Sequence, residues 1–168
     1  MSDPAVAKDV MSELAGIEPG STLASTRALR PDVVRFMQSS DDAVFRPAHD
    51  AGLTRAERAA AALRIARLLH DGVLSAHYED MLSRLESSGA LLASVTNNAV
   101  GATDRWARIL AHVDRLTSDP GASEPSHLAM LSDAGLSSQA IVALSQLIAH
   151  VNFQARVRAG LAALGGRS

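Results

Sequence analysis

Residues 67–82, RLLHDGVLSAHYEDML, hold the densest group of side chains able to move protons: His70, Asp71, His77 and Tyr78. A histidine titrates near neutral pH, a phenol can donate a proton, and a carboxylate can orient either one. Together they would equip an acid/base catalyst, a decarboxylase or isomerase rather than a redox enzyme. On that reading His77, Tyr78, His70 and Asp71 are the candidate catalytic residues. The competing reading is structural, a histidine hydrogen-bonded at a helix interface. His77 shares a helical face with Leu74, Tyr78 and Met81, so imidazole and phenol are aimed at the core or at a pocket beneath the junction.

Other chemistries are poorly supplied. The chain of 168 residues contains no Cys, which removes disulfides, thiolate metal sites and cysteine nucleophiles at once. None of its six His pair at i, i+4 as in a helical zinc motif, and His70 and His77 flank Gly72. No metal and no cofactor are expected. Gly-rich phosphate loops, serine-nucleophile motifs and dinucleotide fingerprints are absent from the sequence. A net charge of −2 with 20% charged residues offers no basic footprint for nucleic acid. The longest apolar region, Ile141 to Val151, is interrupted by Ser145, Gln146 and His150 and falls short of the roughly 20 residues a membrane span requires. The N-terminus, MSDPAVAKDVMSELAG, lacks the pattern of a secretory signal. A soluble, cytoplasmic protein is expected, with neither nucleic acid nor membrane as partner.

The elements that position these residues read as helices throughout. Apolar positions recur at helical spacing and hairpin signals are missing, so the fold class is all-α, one domain over 1–168. Short helices are expected over 1–50. Val6, Val10, Leu14 and Ile17 form the first stripe, with Pro4 in its first turn. Another short helix covers Thr22 to Leu29, and a segment opened by Pro31 is interrupted by Ser39-Ser40-Asp41-Asp42. The core helix pair spans 53–89. Thr54 and Glu57 have capping-box spacing at the start of a helix running to about His70, Gly72 breaks the chain, and Leu74, Tyr78, Met81, Leu82 and Leu85 make a second stripe ending near Gly89. The C-terminal helices cover 104–164. Asp104 can cap a helix carrying Trp106, a core anchor, and a short helix from Pro125 to Ala134 follows.

The last helix, from Ser137 or Ser138 to about Leu164, is apolar nearly all round, as befits a helix buried centrally or shared between subunits. Leu53-Thr54 and Leu136-Ser137 open their helices alike, each with Ile-Ala at the same later offset. Asn152 and His150 fall on or beside the apolar stripe and need buried partners, either fixing register at a symmetric interface or lining a pocket, with Arg156 pairing to an acid. Arg55, Arg58, Arg64 and Arg67 read as a solvated face.

The stretch LTRAERAAAALRIARLLHDGVLSAHYEDML resembles the core helices of the carboxymuconolactone decarboxylase and AhpD-like (alkylhydroperoxidase-related) family, in which a Leu-Ser/Thr-x-x-Glu-Arg start leads to a Cys-x-x-Cys-x-x-x-His junction. Ile148, Ala149, Asn152, Phe153 and Arg156 are similar to the long final helix of its peroxidase-related branch. The resemblance implies a helix-hairpin core, a long C-terminal helix, a homo-oligomer between dimer and hexamer, and a small organic ligand. It places the two family cysteines at Asp71 and Leu74, the histidine at Tyr78 and the upstream glutamate at Ala59. A frame shifted by one places them at His70, Val73, His77 and Arg58. Neither restores a thiol, and thiol peroxidase chemistry needs a thiolate to attack the peroxide and a second thiol to resolve the sulfenic acid. What the resemblance leaves is a cofactor-free acid/base enzyme on a small organic acid or lactone, or a non-catalytic ligand-binding or structural homo-oligomer.

Overall fold

The computed structural model describes residues 9–86, 88–96 and 104–166. Among them the chain forms α1 (Val10–Leu14), α2 (Thr22–Ala28), α3 (Pro31–Phe45), α4 (Arg55–Leu68), α5 (Gly72–Ser83), α6 (Ser88–Thr96), α7 (Asp104–Ser118), a 3-10 turn (Pro120–Ala122), α8 (Pro125–Asp133) and α9 (Ser138–Leu164). No strand occurs among the described residues, and the fold is all-α with a long C-terminal helix. Pro4 and Val6 of the expected first stripe lie outside the described residues. Val10 and Leu14 are buried as expected.

Four consecutive alanines mark the centre of the fold. Ala59, Ala60, Ala61 and Ala62 are all sealed from solvent, together with Leu63, Ile65 and Ala66, so α4 is buried around nearly its whole circumference. Alanine is the best helix former, and its short side chain lets neighbours approach closely. α5, α6, α7 and α9 all pack on this helix. The long α9 flanks α4 rather than lying at the centre, and it leaves Val142 and Phe153 exposed.

The two helix starts that read alike in sequence are alike in structure. Thr54 Oγ1 accepts the Glu57 N–H at 3.1 Å while Glu57 Oε2 accepts the Thr54 N–H at 2.9 Å, a complete capping box. Ser137 Oγ accepts the Ala140 N–H at 3.1 Å. Leu53 and Leu136, the residues just before these caps, are both buried.

Three local expectations are corrected. α3 continues through Ser39-Ser40-Asp41-Asp42, because the two hydroxyls bond back to Arg35 O at 2.9 Å and Phe36 O at 2.8 Å while Asp42 takes the Arg46 guanidinium. The break between α4 and α5 belongs to His70, at φ 54°, with Asp71 as the next cap, whereas Gly72 is already the first residue of α5. A non-glycine residue in the left-handed region is uncommon, and the cost is met by the helix that Asp71 starts. α5 ends at Ser83, short of Gly89, and is followed by an unforeseen helix, α6. The sequence SGALLASVT offers no polar face to reveal its period, and Ser94 is buried because its Oγ accepts the Trp106 indole N–H at 2.7 Å.

Candidate functional site

Asp71 joins two helices at the junction. Its Oδ1 accepts the backbone N–H groups of Val73 and Leu74, each at 3.1 Å, which satisfies donors of the first turn of α5 that have no partner within the helix. Its Oδ2 accepts from Arg158 Nε of α9 at 2.7 Å. With the carboxylate only 7% exposed, this is a largely desolvated ion pair that also carries hydrogen bonds. Both Asp71 oxygens are therefore engaged.

Two turns along α5, Tyr78 has no solvent exposure. Its hydroxyl donates to Gln154 Oε1 of α9, and Gln154 Nε2 in turn donates to Asp41 Oδ1 of α3 at 2.9 Å. His150 Nε2 lies 3.4 Å from the same Asp41 oxygen. The Tyr78 ring packs against Phe45 at 5.3 Å between centroids and meets His77 edge-on at 5.0 Å. One polar chain thus ties α3, α5 and α9 through the core. Burial first, then the charges of Asp41 and Asp71, push the Tyr78 phenol well above its ordinary 10.0. At neutral pH it is a hydrogen-bond donor and cannot serve as a base.

Of the four candidate residues, Asp71 and Tyr78 lie near enough for the carboxylate charge to reach the phenol. His77 is half-buried with its ring on Tyr78, while His70 is exposed at the turn and does not join the chain. Sequence reasoning missed Asp41, Gln154 and Arg158. A signal for Gln154 was present: it follows Leu147 and Val151 at i+7 and i+3, both fully buried, so the stripe carries a polar residue into the core. Asn152 is buried, yet its Nδ2 donates to Ile148 O at 3.0 Å within its own helix, and Arg156 donates to Asn152 O at 3.0 Å rather than to an acid.

The arginine face of α4 is not a solvated one. Arg58 is 4% exposed and spends its guanidinium on three backbone carbonyls, Val44 at 2.9 Å, Asp50 at 2.7 Å and Leu53 at 3.1 Å. Burial holds its pKa below the usual arginine value, against the pull of Asp50 and Glu57. Arg64 makes a bidentate pair with Asp114 of α7 at 2.8 and 2.7 Å. Arg67 reaches Thr96 Oγ1 at 3.0 Å, and of the four only Arg55 is exposed. The loop gathered by Arg58 borders an open cleft of about 670 Å³, lined among others by His49, Asp50, Thr54 and Arg55.

No group of three or more His, Asp or Glu among the described residues is placed to hold a metal ion. No helix among them is long and apolar enough to cross a membrane. Comparison with protein-family models and with curated proteins gives no match.

Proposed function

We propose that this chain is a cysteine-free relative of the carboxymuconolactone decarboxylase and AhpD-like proteins that keeps the helical scaffold and acts as a non-catalytic homo-oligomer with a small-ligand site. The observation that carries the reading is the closed polar chain between α3, α5 and α9, together with the committed Asp71 at the α4–α5 junction. Tyr78 is fully buried and hydrogen-bonded to Gln154, and both Asp71 oxygens are committed to the α5 cap and to Arg158. A substrate would have to displace core partners before meeting either group. These residues are better suited to fixing α3, α5 and α9 in register than to turning over a ligand.

Two further observations support the rest of the reading. Val33 and Phe36 of α3 and Val142 and Phe153 of α9 are 43%, 58%, 56% and 45% exposed, apolar surface on two helices that pack on one another and suited to a second copy of the chain. The cleft beside Arg58 has a volume within the range of small-molecule sites, about 300–1,000 Å³.

Light scattering coupled to size exclusion is the direct test. The chain is expected to elute at no less than twice its own mass, and Phe153→Glu, at an exposed position, is expected to lower that mass with helicity unchanged. A monomer at all concentrations would refute the assembly. Turnover of a hydroperoxide, lactone or small organic acid that disappears in a folded His77→Gln or Tyr78→Phe variant would refute the non-catalytic part.

A further inference from the structure

Outside the junction, the side of α7 turned toward α8 carries Arg108, His112 and Arg115, spaced i, i+4 and i+7 along one face. His127 of α8 completes the group around a cleft of about 20 Å³ floored by Met130 and Leu131. His112 is 6% exposed, and neither of its ring nitrogens has a hydrogen-bond partner among the described residues. A buried polar group left unmet is costly, so a polar partner entering the cleft gains from meeting it.

The neighbouring groups agree on the sign of that partner. His127 Nδ1 accepts the Glu124 backbone N–H at 2.9 Å, which puts its own proton on Nε2 and makes it a donor. No carboxylate lines the cleft. On the rest of α7, Asp114 is taken by Arg64 of α4, and Asp104 stands 3.7 Å from Arg108 at the helix start; at the start of α8 the Glu124 carboxylate accepts the Ser126 hydroxyl at 3.3 Å and is not part of the cleft lining. Four side chains able to carry positive charge therefore face one small opening.

We propose that this cleft binds the oxyanion head of a small ligand, a phosphate, sulfate or carboxylate group, between His112, His127 and Arg115, with Arg108 at the mouth. The volume admits a single water-sized atom, so one oxygen enters and the remainder of the ligand stays at the surface. Burial, and then the charges of Arg115 and His127, hold the His112 imidazole below its ordinary 6.5. An anion relieves that repulsion, and binding should be accompanied by proton uptake at His112.

The test is a titration of the full chain with sodium sulfate, ionic strength held constant with chloride, read from the ring signals of His112 and His127 by NMR. The wild type is expected to show saturable shifts at both rings, and Arg115→Gln, at a half-buried position, to weaken the apparent affinity by about tenfold, equivalent to about 1.4 kcal/mol. His127→Gln is a second variant should the first lose its fold. Sodium acetate in place of sulfate separates a carboxylate site from a tetrahedral one, since only the matching anion saturates. Shifts that stay linear with both anions, or that saturate identically in a folded Arg115→Gln variant, would overturn the proposal.

Discussion

Tyr78→Phe removes one hydroxyl and nothing else from the centre of the molecule. The ring contact with Phe45 is retained, and Gln154 Oε1, in a residue 1% exposed, loses its donor. A buried acceptor stripped of its partner costs about 1–3 kcal/mol, and the middle of that range, about 2 kcal/mol, lowers the Tm of a domain this size by roughly 4–8 °C. Gln154→Leu should cost more, about 3 kcal/mol, because it strands both the phenol hydroxyl and the Asp41 carboxylate, whose remaining neighbour is His150 at 3.4 Å. The double variant strands only Asp41, so it should cost about 2 kcal/mol and fall short of the sum of the two, about 5 kcal/mol, by about 3 kcal/mol. Urea unfolding followed by circular dichroism measures all three. Tyr78→Phe within roughly 0.5 kcal/mol of the wild type, or a strictly additive double variant, would show that the chain of hydrogen bonds does not hold these helices. A second readout uses the same residue. Tyr78 is the only tyrosine, so phenolate absorbance reports it alone. Its pKa is raised in the folded state, so the associated stability is complete below the unfolded value near 10.0 and lost as pH climbs through the folded one. Phenolate should appear only as the protein unfolds in alkali.

Three other outcomes are expected. Arg58→Met keeps the length of the side chain but withdraws the donors from Val44, Asp50 and Leu53; with water able to reach carbonyls along the cleft, the loss should be about 3 kcal/mol by chemical denaturation, and Arg58→Lys should recover part of it. His112 has a folded pKa below 6.5, so the unfolded chain binds the extra proton first and stability should decline as pH falls below about 6.5, levelling off past the folded value; His112→Leu should flatten that part of the profile measured by thermal melts. Thr54→Ala breaks the capping box of the central helix and should cost about 1 kcal/mol, seen as a lower urea midpoint with an unchanged slope.

The regular features of the chain were legible because each depends on local physics. Helical spacing of apolar residues announced an all-α fold, and Thr54 with Glu57 and Ser137 marked the starts of α4 and α9 because a cap needs only groups three residues apart. Trp106 was legible as core because it opens the stripe of Ile109, Leu110 and Val113 at helical spacing, and all four are buried. Less legible were α6, whose residues show no polar face, and the left-handed turn at His70, which sequence alone assigned to the neighbouring glycine.

A helical chain without thiols, with His70, Asp71, His77 and Tyr78 close together along it, follows from residue order alone. What those four residues do depends on how the helices pack. Gln154 is 76 residues from Tyr78 and Arg158 87 from Asp71, and Asp41, which closes the chain, is 113 from Gln154. Spacing along one helix fixes which side chains share a face, but the packing of α3 and α9 fixes what that face meets. Arg58 looked solvated for a related reason, since the carbonyls it binds belong to the last turn of α3 and the loop after it, whose path no helical period describes.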